Sequence, residues 1–87
     1  MKLINKPIRL IAGFNPDGKV TPTSFIYGSR HYRVTRVQDS WSYHSWEHGN
    51  IQHFKLQVMS NSGQEMLCEA SFLQDKIRWV LVKYNFW

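Results

Sequence analysis

The sequence predicts an all-β fold, a small barrel of five or six antiparallel strands built from residues 1–87 as a single domain. Three observations carry that prediction. Apolar residues alternate with a period of two along most of the chain. Turn-forming residues interrupt the alternation at short intervals. No segment sustains a helical period over three turns. Closure into a barrel follows because a short chain of many strands would otherwise leave exposed sheet edges.

The first strand is expected over Lys6–Phe14, where Ile8, Leu10, Ala12 and Phe14 share one parity. Asn15-Pro16-Asp17-Gly18 then reads as a type I turn, with Pro supplying φ near −65° at its second position. Thr23–Tyr27 and Arg30–Val34 flank Gly28-Ser29, a two-residue loop with glycine first, as a type II′ hairpin requires. That loop sets Tyr27 opposite Arg30, Phe25 opposite Tyr32 and Thr23 opposite Val34. Ile26, His31, Arg33 and Thr35 then fall on the other face. Beyond Val34 the parity slips, since Val37 and Trp41 no longer match it, and a β-bulge near Thr35-Arg36 would repair the pattern. Tyr32 and Trp41 are read as core residues.

Ser40–Asn50 is the least regular stretch and reads as a long aromatic-rich loop. Three strands follow, about Ile51–Met59, Glu65–Phe72 and Ile77–Tyr84. Phe54, Leu56 and Val58 are expected inward on the first of these, and Met66, Cys68 and Ala70 on the second. The last is apolar on both faces, which suits a central strand or one covered by the N-terminal segment.

The composition supports a packed core: 43% of residues are hydrophobic and 15% aromatic. A domain this small buries only about 60% of the surface of its unfolded chain, so that core must be dense. Cys68 is the lone cysteine, which excludes an intrachain disulfide and a Cys-based zinc site. Its apolar neighbours mark it as a small buried hydrophobe. Met1–Pro7 lacks an apolar core and cleavage site, and the longest apolar run, Trp79–Val82, is far short of the ~20 residues a spanning helix needs. A cytoplasmic location with no membrane contact is the resulting expectation. The net charge is +5, and seven of the eleven Lys and Arg residues lie before residue 39, against Asp17 alone. A one-sided basic surface attracts polyanions, although solvated charge also keeps a small protein soluble.

His44-Ser45-Trp46-Glu47-His48 spells the letters of a zinc-protease motif. That motif works only on a helix, where the two histidines share a face and Glu activates a bound water. Here it falls between strands, so no metal site is assigned to it. The carboxylates are scattered, the glycines are spaced as turns, and no serine sits on a nucleophile elbow. No catalytic residue, enzyme activity or cofactor is therefore expected. The remaining pattern is Arg30, Arg33 and Arg36, interleaved with Tyr27, His31 and Tyr32. Guanidinium groups neutralise phosphates and planar rings stack on bases, which is how single-stranded nucleic acid is held. Tyr43 and Trp46, where burial is hardest to arrange, complete the candidate site. Two functions stay open: a domain binding single-stranded nucleic acid through Arg30, Arg33, Arg36, Tyr43 and Trp46, or a module binding a protein partner's peptide in an aromatic groove.

Several strings together resemble a family of short uncharacterised bacterial proteins. They are Asp17-Gly18-Lys19-Val20-Thr21-Pro22, Phe25-x-Tyr27 with the Gly28-Ser29 turn, Tyr32-x-Val34, Val37-x-x-x-Trp41, Phe54-x-Leu56-x-Val58, Met66-Leu67 and Trp79-Val80-Leu81. The resemblance runs through most of the chain and implies an SH3-like barrel. Some relatives of that type are associated with error-prone DNA repair polymerases, which implies a role near nucleic acid. The His-rich segment departs from the family pattern, and the resemblance carries over no catalytic residues.

Overall fold

The period-two alternation builds six strands in the computed structural model, which describes residues 2–17, 19–47 and 49–86. They are β1 (Lys2–Phe14), β2 (Val20–Tyr27), β3 (Arg30–Ser45), β4 (Gly49–Ser60), β5 (Glu65–Leu73) and β6 (Arg78–Phe86). Each strand pairs antiparallel with the next, and β6 returns to β1, so the sheet closes into a barrel in simple chain order. This is the architecture of a small SH3-like barrel with six strands. The sole helical piece among the described residues is a 3₁₀ turn at Gln74–Lys76.

The β2–β3 hairpin has the expected register, with Tyr27 opposite Arg30 and Phe25 opposite Tyr32. Gly28 takes a φ of 64°, while Ser29 keeps a negative φ, the backbone a type II′ turn demands. At the first turn, the Asn15 N–H donates to the Lys19 carbonyl and Asp17 accepts from the Lys19 N–H. Gly18 of that turn lies outside the described residues, as do Met1, His48 and Trp87.

Inward residues of all six strands form one core. Val20, Phe25, Tyr32, Phe54, Leu56, Val58, Met66, Cys68, Ala70, Phe72, Trp79 and Leu81 are its buried members. The Trp79 ring packs against Phe54 and Phe72, with centroids 5.6 and 4.9 Å away, within the range where tilted aromatic pairs attract. The expected inward sets on β4 and β5 are therefore found. Burial pushes the Cys68 thiol up to about 12, the Glu69 charge beside it adding to the effect. A thiol so placed is a poor nucleophile. Iodoacetamide at mildly alkaline pH is thus expected to spare Cys68 in the folded protein and to label it once urea unfolds the chain. Labelling of the folded protein at the rate of a free cysteine would contradict its burial.

One segment differs from expectation. Ser40–Asn50 is not a long loop: β3 and β4 continue pairing as far as Ser45 opposite Gly49, leaving a tight turn at the tip. The physical reason is that Trp41 and Tyr43 alternate with serines and both rings favour strands. Gly49 carries the return, with a φ of 70°, and a Cβ there would overlap the Asp75 carboxylate. Beyond Arg33, β3 pairs with β4 alone among the described residues. Only the tip of the β3–β4 hairpin, with Ser45 opposite Gly49 and His44 opposite Asn50, lies beyond the β5 ladder.

Two register shifts decide which side chains the hairpin presents. The expected bulge falls between Val34 and Arg36, and a second lies between Val37 and Asp39. The first returns Val37 to the inward parity opposite Leu56. The second sends Trp41 outward, opposite His53. Trp41 is consequently 41% exposed and is not a core residue, whereas Tyr32 is buried as expected.

Candidate binding surface

Residues three apart on a regular strand point to opposite faces. Arg30, Arg33 and Arg36 would therefore alternate, were it not for the bulge at Thr35. That extra residue places Arg36, opposite Gln57, on the same outward face as Arg33, opposite Met59. Arg30 keeps the opposite parity, at the turn end of the barrel beside Ser29, Ser60 and Ser62. All three side chains are exposed, but only Arg33 and Arg36 share a face.

The second bulge continues this outward row. After Arg33 and Arg36 come Asp39, Trp41 and Tyr43, opposite Lys55, His53 and Ile51. From Met59 to Ile51 the row covers roughly 26 Å at about 3.3 Å per residue. Tyr43 is 48% exposed, and Trp46 sits fully exposed at the hairpin tip, beyond the end of the row. Of the five residues named from sequence, three lie along one surface, one at its far tip and one elsewhere.

The row ends at a groove on the outer wall, lined by residues of β1, β3, β4, β5 and β6. It encloses about 480 Å³, within the usual range for small-ligand sites. Tyr43, Pro7, Ile51, Leu73, Val80 and Val82 supply apolar walls, His53 and Ser71 the buried base, and Asn5, Lys76 and Arg78 the polar margin. Val80 and Val82 explain why β6 is apolar on both faces: the outer pair lines this groove. Asn5 and Ile77 are the two non-glycine residues with positive φ among the described residues. One lines the groove and the other joins Lys76 to Arg78, so backbone strain is concentrated at this margin.

Beneath the groove lies a polar network that sequence reading did not find. His53 Nδ1 is 2.6 Å from Ser71 Oγ, and His53 Nε2 is 2.8 Å from Glu69 Oε1. Lys83 Nζ stands 3.8 Å from the second Glu69 oxygen. A register shift between Glu69 and Ala70 brings Lys83 opposite Glu69 in place of Val82. The Trp41 ring covers His53 with centroids 4.6 Å apart, and Lys55 Nζ lies 5.9 Å from the Trp41 ring centre. Glu69 is thus a buried mid-strand carboxylate.

A serine, histidine and glutamate in line invite comparison with a hydrolytic triad. Such a triad also needs donors converging on the developing oxyanion. Ser71 lies on β5 between β4 and β6, and the strand is paired along both edges. Its backbone N–H groups are committed to those ladders and lie in the plane of the sheet, away from the Ser71 hydroxyl. The network orders side chains under the groove.

The His44 segment has no helical geometry, being a strand end and a turn. His44 pairs opposite Asn50, on the face away from His53, and His44 Nδ1 is 3.1 Å from Asn50 Oδ1. Those two histidines do not converge, and His48 lies outside the described residues. No group of three metal-ligating side chains occurs among the described residues. Among those residues, too, no helix is long and apolar enough to cross a membrane. Compared with protein-family models, with curated proteins and with solved structures, the chain matches none.

Proposed function

We propose that this chain is a non-enzymatic, cytoplasmic binding domain that holds single-stranded nucleic acid along the outer face of β3 and β4. The observation that supports this most is the pair of bulges that sets Arg33, Arg36, Trp41 and Tyr43 in one outward row. Cations at one end and exposed rings at the other suit a phosphate backbone with unstacked bases. Lys55 and the groove's Lys76 and Arg78 add positive charge along the same route. Arg30 is set apart from this row, and Trp46 extends it at the tip.

A fluorescence titration with a short single-stranded oligonucleotide tests the reading. Binding is expected to weaken steeply with salt, with a log–log slope near −0.7 per phosphate contacted. Arg33→Ala and Arg36→Ala should each reduce that slope by about one contact, and Arg30→Ala should leave it unchanged. Tyr43→Ala should cost about 1–3 kcal/mol at every salt concentration, the mark of lost stacking. Absence of binding at low salt would end the proposal. A second reading, an extended peptide of a protein partner, draws support from the apolar walls of Pro7, Ile51, Leu73, Val80 and Val82. Affinity for such a peptide would persist at high salt.

A further inference from the structure

The chemistry at the base of the groove narrows what enters it. Lys83 faces one Glu69 oxygen, and the other oxygen accepts from His53 Nε2–H. His53 Nδ1 lies 2.6 Å from Ser71 Oγ. Whether the hydroxyl donates to that nitrogen or accepts from it, Ser71 Oγ keeps at least one lone pair. The base of the groove thus offers an acceptor to a ligand that donates.

We propose that this groove receives one unstacked nucleobase, its amino or imino N–H directed to Ser71 Oγ and the adjoining phosphate at Arg78. The proposal rests on the single-stranded reading above and names the subsite that reading lacks. Four features converge on it. A flat heteroaromatic with a ring N–H or an amino group matches an apolar slot that ends in an acceptor. Tyr43 belongs both to the outward row and to the groove wall, so the strand passes from one to the other without a gap. Arg78 is exposed at the groove margin, where it suits an anion. In a duplex each base is stacked between its neighbours as well as paired and cannot enter a pocket without being flipped out, which favours single strands for the subsite.

Val80 lies half-buried on the outer wall, so Val80→Trp fills the groove without entering the core. Two strands of equal length are compared at low salt, an adenine oligonucleotide and one with abasic sugars throughout. Val80→Trp is expected to weaken the adenine strand roughly tenfold and to leave the abasic strand unchanged. Equal affinity of wild type and variant for the adenine strand would overturn the subsite while leaving the wider nucleic-acid reading standing. Failure of both strands to bind wild type would remove both together. Should Val80→Trp not fold, amide shifts in the unaltered protein decide the matter. Adenosine monophosphate is expected to move Tyr43, Ser71 and Val80, and ribose 5-phosphate to leave them in place. Equal shifts from the two, or shifts from an extended acidic peptide alone, would overturn the proposal.

Discussion

Leu56→Ala is expected to lower the unfolding free energy by about 3–5 kcal/mol. Leu56 is fully buried, on a strand paired along both edges, with Val58 and Phe54 beside it on the inward face. A closed barrel gives the surrounding strands little room to collapse into the space left behind, so the cavity term adds to the lost transfer energy. A domain of this size is stable by roughly 4–13 kcal/mol in all, so the loss is a large share of the total. Urea denaturation should show a lower midpoint with an unchanged slope. Ile11→Ala, removing a side chain that is 68% exposed, should change stability by less than about 0.5 kcal/mol. Similar losses at the two positions would contradict the assignment of inward and outward faces.

Glu69→Ala is expected to cost about 2–3 kcal/mol, because the buried His53 Nε2–H loses its acceptor. The Lys83 side chain is partly exposed, so water screens its half of the ion pair and the cost falls mainly on His53. Replacing the network with His53→Leu, Glu69→Leu and Ser71→Ala together should recover most of that stability, since no polar atom is then stranded. The triple variant should also lose the acceptor under the groove, and with it the adenine-strand preference. A triple variant less stable than Glu69→Ala would show that the network contributes more than mutual satisfaction of its members.

Much of the fold was legible because it depends on local chemistry. Gly28-Ser29 fixes its hairpin through glycine's positive φ, and the parity of Phe54, Leu56 and Val58 follows from the strand period. The first bulge was legible too, since Val37 and Trp41 broke the pattern set by Tyr32 and Val34. The second was not, because one inserted residue explains Val37, and only pairing with β4 shows that Trp41 turns outward. Ser40–Ser45 looked like a loop since its serines hide the alternation of Trp41 and Tyr43.

The candidate site divides in the same way. Arg33, Arg36 and Tyr43 are visible as residue types, but their common face depends on bulges that only the β4 register reveals. Glu69 and Ser71 share a parity that reads as an ordinary solvent face. His53 on β4 bonds both of them and Trp41 on β3 covers His53, contacts that no spacing within β5 encodes. Lys83 meets Glu69 through a register shift that its own strand does not announce.

Amide chemical-shift mapping with a short single-stranded oligonucleotide at low salt tests the central claim most directly. The account expects the shifted residues to follow the outward row on β3 from Arg33 to Tyr43, its partners on β4 from Ile51 to Met59, and the groove at Ser71 and Val80. Residues on the outer face of β1 beyond the groove, including Ile11 and Gly13, should stay in place. Shifts centred on those residues, or none at saturating oligonucleotide, would contradict it.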